Sequence, residues 1–135
     1  MSVRFVLDSW AVLHLLEGGK NAAKVDAAIE TGDAAMSWMN LGEVDYIVRR
    51  RHGAAAADGV VADLRAKVDV KLPDMTTFRD AARIKALVSM AYADAFAAAT
   101  GARYDAPILT GDPELLVTPD PSQGLPKWTC TDLRK

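Results

Sequence analysis

Cysteine is nearly absent: Cys130 stands alone in 135 residues, which excludes an internal disulfide and fits a reducing compartment. Long apolar runs are missing too, and none approaches the roughly 20 residues that a membrane helix needs. No stretch reads as a secretory signal, because the first seven residues already look like a strand and carry no cleavage site. Neither charge dominates. With 16 basic and 18 acidic side chains the net charge is −2, so any nucleic-acid binding must rely on a local basic patch. The glycines never form a GxxxxGK[ST] loop, which leaves a nucleotide-hydrolysing P-loop unsupported. Internal repeats and low-complexity linkers are also lacking. What remains is an ordinary composition, half apolar and a quarter charged, in a chain long enough to bury a core. One cytoplasmic domain over residues 1–135, without membrane contact, is the expectation.

Strand-like and helix-like segments alternate along the chain. Val3 to Leu7 is a β-rich run ended by Asp8. Ser9 then suits an N-cap for a helix from Trp10 to Glu17, stopped by Gly18-Gly19. Asn21 to Thr31 reads as an amphipathic helix and Ala34 to Met39 as a strand. Asn40 is the expected cap of a long helix that ends near Gly53, and Ala54 to Val68 is a further helix. Val70 to Leu72 is a short strand before Pro73, and Thr76 or Thr77 starts a helix to about Val88. A final strand is expected over Lys127 to Thr131. This alternation predicts a three-layer α/β/α sandwich with a parallel central sheet. The helical segment 54–88 departs from it locally.

The stretch Tyr92 to Asp112, YADAFAAATGARYDAPILTGD, is the most informative. An alanine-rich helix opens with Asp94, and the buried-strand run Pro107-Ile108-Leu109 closes with Thr110-Gly111-Asp112. Carboxylates this close to a core are costly unless paired or bound to metal. In parallel α/β folds the ligand crevice lies beyond the carboxyl ends of the strands. Asp8 and Asp112 follow strands directly, while Glu43 and Asp94 open helices that return from the same edge. Four acids are therefore expected to meet in one cleft. Hard cations such as Mg²⁺ or Mn²⁺ prefer such oxygen ligands and suit phosphoryl chemistry.

Four segments carry a family resemblance: LDSWAVL (7–13), NLGEVDYIVRRR (40–51), YADAFAAAT (92–100) and ILTGDPEL (108–115). In this order and at these intervals they resemble the acidic motifs of PIN-domain ribonucleases, above all the toxins of VapBC-type toxin–antitoxin pairs. The resemblance covers nearly the whole chain. It implies a PIN-like fold and a metal-dependent endoribonuclease that hydrolyses RNA with a metal-activated water, leaving a 5′-phosphate and a 3′-hydroxyl. Asp8, Glu43, Asp94 and Asp112 would then be the catalytic, metal-binding quartet for Mg²⁺ or Mn²⁺, with Ser9 and Thr110 as supporting hydroxyls. A small antitoxin and a second copy of the chain are the implied partners. Two positions depart from the family pattern. Trp10 stands where a small polar residue is usual, and Glu114 adds an acid whose role is open.

Each acid also has a plain structural reading. Asn40 with Glu43 resembles a capping box, and a first-turn Glu suits the helix dipole. Asp8 can end a strand, and Asp112 can sit in a turn. Asp94 resists this treatment, since no basic residue lies within a turn of it. Asp26, Asp45, Asp58, Asp63, Asp69 and Asp105 read as solvated faces and turns. Arg50 and Arg51 lie on the face of Glu43, about 10–12 Å along the axis at roughly 1.5 Å per residue. They are candidates for phosphate contact, although the dipole alone favours cations there. His14 reads as a packed or interface residue, and with only two histidines a metal-free His–His mechanism is disfavoured. Trp10, Trp38 and Trp128 read as core residues and Cys130 as buried and inert. Two rivals stand beside the ribonuclease: a non-catalytic PIN-fold binding module, and an α/β domain that uses an Asp for phosphoryl transfer.

Overall fold

Side-chain alternation decides how the central strands are used. In β1 (Phe5–Leu7), Val6 and Leu7 point to opposite faces and enter different apolar clusters. The same division recurs in β4 (Ile108–Thr110), where Ile108 joins Val6 and Leu109 joins Leu7. Strands buried on both faces read as continuous apolar runs, which is why these segments lack a polar side.

The computed structural model describes residues 2–135. Its five strands are all parallel, with β2 at Ala34–Ser37, β3 at Asp69–Lys71 and β5 at Cys130–Asp132. Their order is β3-β2-β1-β4-β5. One face is covered by α1 (Ser9–Leu16), α2 (Ala22–Glu30), α3 (Trp38–His52) and α4 (Ala54–Lys67). The other carries α5 (Met75–Leu87) and α6 (Tyr92–Tyr104). This is the expected α/β/α sandwich. The chain runs outward from β1 to β3, then returns to place β4 on the other side of β1. The order therefore reverses between β1 and β4, where a crevice opens in such sheets.

Helix α6 is buried without a break from Asp94 to Gly101. Its small residues let it lie directly on the sheet: a Cβ on Gly101 would come within 2.7 Å of the Ile108 side chain. No helix among the described residues is long and apolar enough to cross a membrane.

Several boundaries differ from the sequence reading, mostly where neighbouring residues compete for one cap. Strand β2 stops at Ser37, not Met39, because Ser37 Oγ accepts the Met39 N–H at 3.2 Å and starts α3. Asn40 is thus inside the helix. Asp8, not Ser9, caps α1, and α5 starts at Met75 behind the cap Asp74, not at Thr76 or Thr77. Bonds from Thr77, together with the Arg103 guanidinium, hold the Asp74 carboxyl down at about 2. The two edge strands are also shifted, β3 to one residue earlier and β5 to Cys130–Asp132. Trp10 and Trp38 pack partly buried on the α1–α4 side, while Trp128 lies on the other and donates to the Leu115 carbonyl at 3.0 Å. Cys130 is half-buried, and burial pushes its thiol up to about 12, so it is inert as a nucleophile.

Candidate active site

The strand-order reversal sets the site. Asp8 follows β1 and Asp112 follows β4, so adjacent parallel strands deliver both acids to one sheet edge. Asp94, in the first turn of α6, and Glu43, in α3 after β2, join them there.

Asp8 is fully buried. One of its carboxylate oxygens accepts the Ala11 N–H at 2.8 Å, and the other accepts the Thr110 hydroxyl. Burial still pushes its pKa up to about 7, against these two bonds and with help from the charges of Asp112 and Glu43. Thr110 Oγ1 also accepts the Asp112 N–H at 2.9 Å, so one hydroxyl fixes acids from two strands. Asp112 in turn accepts the Glu114 N–H at 2.9 Å, and Glu114 accepts the Ala91 N–H at 3.3 Å where α6 begins.

Among the described residues, Asp94, Asp112 and Glu114 offer carboxylate oxygens that all lie within 4.8 Å of one another. Asp94 is buried, and its carboxyl lies beside those of Asp112 and Glu114. Desolvation first, then Asp112, then the charges of Asp8 and Glu43 push the Asp94 carboxyl up to about 8. The four expected acids thus act on one another electrostatically. The tightest group, however, is Asp94 and Asp112 with Glu114 rather than with Asp8 or Glu43.

The donors suit a hard divalent cation. They are all oxygen, their repulsion is relieved by positive charge, and a buried oxygen close by, Asn40 Oδ1, has no partner among the described residues. Asn40 is fully buried, and its amide nitrogen donates to Ser9 Oγ at 3.3 Å and to the Ala93 carbonyl at 3.2 Å. Ser9 Oγ donates back to the main-chain carbonyl of Asn40 at 3.1 Å. The sequence pattern suggests a cap at Asn40. The only local hint against that is its position among apolar residues, with Ser37 free to cap instead.

Trp10 packs against the segment that carries Asp112. A Cβ on Gly111 would lie 2.3 Å from two carbons of the indole. Its ring stacks on His14 with centroids 4.4 Å apart, and the His14 ring abuts Gly19 and hydrogen-bonds the Lys20 carbonyl. His14 is therefore packed, as expected. At the far end of α3, Arg51 pairs with Glu17 at 3.1 Å and Arg50 lies 5.1 Å over the Tyr46 ring. Both are exposed.

A family model described as PIN domain matches residues 5–120. No curated protein matches the chain. Solved structures of the same fold include a DNA-bound VapBC from Salmonella typhimurium, 14% identical with a TM-score of 0.75, covering 97% of this chain and 98% of that one. VapBC2 from Rickettsia felis, bound to a fragment of its promoter, is 9% identical with a TM-score of 0.72 over 96% and 98% of the two chains. VapC20 of Mycobacterium tuberculosis, a toxin that cleaves the sarcin–ricin loop, is 18% identical with a TM-score of 0.61 over 76% and 84%.

Proposed function

The chain belongs to the PIN-domain family, and from that premise we propose that it is a divalent-cation-dependent endoribonuclease, the toxin of a toxin–antitoxin pair. The meeting of Asp94, Asp112 and Glu114 within 4.8 Å, at the edge where the sheet order reverses, carries this reading. These three carboxylates would hold Mg²⁺ or Mn²⁺, with Asp8 and Glu43 adding negative charge. Such an ion supplies charge stabilisation on the phosphate and lowers the pKa of water. The chain's own groups prepare the site. Thr110 holds Asp8 and Asp112 in register, and Ser9 ties the start of α1 to α3. A cation held there would favour the ionised form of Asp94, whose carboxyl is pushed up to about 8 by burial and the neighbouring acids. Hydrolysis leaves a 5′-phosphate and a 3′-hydroxyl.

Purified protein should cleave part of a total RNA pool with Mg²⁺ or Mn²⁺ and stop when EDTA is added. Cleavage that survives exhaustive chelation rules the mechanism out. Cation binding without cleavage of any RNA would favour a non-catalytic module instead.

Arg50 and Arg51 are proposed to contact RNA phosphates beside the site. Changing both to Gln should weaken RNA binding and flatten its salt dependence by about 0.7 in log–log slope for each single-strand phosphate that is no longer neutralised. Cation affinity should be unaltered. An unchanged slope returns both to local roles, Arg51 with Glu17 and Arg50 on Tyr46.

For the partner, the support is the toxin–antitoxin complexes among the similar folds. An apolar groove between α1, α3 and α4, lined by Leu13, Leu16, Ile47, Val48 and Val60, is a surface that an antitoxin segment could fill. Homodimerisation and a cytoplasmic location complete the reading.

A further inference from the structure

Asn40 lies at a junction that the acidic residues alone do not explain. Its side-chain amide nitrogen bonds Ser9 Oγ and the Ala93 carbonyl, and its main-chain carbonyl receives the Ser9 hydroxyl. Ser9 follows Asp8, Ala93 precedes Asp94, and Glu43 lies one turn beyond Asn40 on the same face of α3. One buried residue therefore joins the first turns of α1, α3 and α6, beside the positions of Asp8, Glu43 and Asp94 in the sequence.

The orientation of this amide is set by its partners. The Ala93 carbonyl can only accept, so the nitrogen must face it, and Oδ1 is left without a donor among the described residues. An unpaired buried acceptor costs stability. A leucine of similar volume would avoid that cost, but it would keep only the main-chain bond from Ser9 and lose the donated bonds to Ser9 and Ala93. The link also opposes a definite force. When ionised and without a cation, the carboxylates of Asp8 and Asp94, at the starts of α1 and α6, repel one another.

We propose that Asn40 is a positioning residue of the acidic site, setting the spacing of Asp8 and Asp94 and through it the affinity for a divalent cation. This rests on the cation-dependent reading given above. Asn40 itself need not touch the ion or the RNA. It acts through Ser9 and Ala93.

Calorimetric titration of the full chain with Mn²⁺, beside thermal midpoints in EDTA, tests it. Asn40→Leu preserves volume and removes both side-chain bonds that the amide donates. The Mn²⁺ Kd should rise about 10–100-fold, as for other residues that orient ligands without binding metal. The midpoint in EDTA should change little, whereas a merely structural role lowers the midpoint and leaves the Kd alone. Ser9→Ala cuts the same link more gently and should raise the Kd by a smaller factor. The two effects should be less than additive in the double variant. Should Asn40→Leu not fold, Ser9→Ala carries the test by itself. An unchanged Kd in the folded variants overturns the inference while the cation site stands. Failure of the wild-type chain to bind Mn²⁺ overturns both the inference and the proposed function.

Discussion

Asp94→Asn is expected to lower RNA cleavage by at least about 100-fold, yet leave the cation-free protein no less stable than wild type and more stable in alkaline solution. The Asp94 carboxyl titrates near 8 in the fold against 3.8 for the free group, chiefly from desolvation and the nearby Asp112. The folded chain thus prefers the protonated acid. The stability that goes with protonation is fully present below about pH 4 and is lost as the pH rises through about 8. Asparagine does not ionise and escapes that loss. Asp8, raised to about 7, remains in both proteins, so both keep part of the decline. Thermal midpoints in EDTA between about pH 5 and pH 9 should diverge in favour of the variant toward the alkaline end. Added Mg²⁺ should raise the wild-type midpoint by mass action and the variant's much less. Asp69→Asn is the control: Asp69 pairs with Lys71 on an edge strand and should alter neither cleavage nor the cation response. A cation-free Asp94→Asn protein that melts clearly below wild type at alkaline pH would mark Asp94 as a helix-supporting acid, not a member of a repulsive cluster.

Gly111→Ala should be nearly as damaging, for a steric reason. The added methyl would sit 2.3 Å from the Trp10 ring. The indole cannot yield easily, because its neighbour His14 is held between it and Gly19 and bonds the Lys20 carbonyl. The segment from Thr110 to Asp112 must move instead, breaking the Thr110 link to Asp8. Overpacking of this kind costs about 1–3 kcal/mol, and cleavage should fall with it because Asp112 is displaced. Replacing Trp10 by Ala makes room. In a double-mutant cycle the alanine at 111 should therefore cost much less when Trp10 is absent. Equal losses with and without Trp10 would clear the indole of blame. The bulk of Trp10 in the first motif is thus accommodated by a glycine in the fourth.

The four acids were legible because each stands at the end of an apolar run or among small residues, where a carboxylate is conspicuous. Glu114 was visible as an extra acid, but nothing local told that it would lie nearer to Asp94 and Asp112 than Asp8 does. The capping pattern of Asn40 and Glu43 misled for a different reason. Ser37 and Asn40 can both cap, as can Asp8 and Ser9, and the choice depends on where the strand lets go of its neighbours.

Apolar periodicity, helix-forming composition and acids at the element ends are properties of short stretches. They sufficed, by the sequence alone, to read the alternating elements and the layered α/β/α class, and to point to acids gathered at one end of the sheet. Strand order was decided only in three dimensions. It brings Asp8 beside Asp112 through the pairing of β1 with β4. The raised pKa values of Asp8 and Asp94, the Asn40 junction and the contact of Trp10 with Gly111 likewise exist only once distant segments pack. Desolvation, charge repulsion and steric exclusion act between surfaces that meet across the fold, and no short stretch of chain contains both partners.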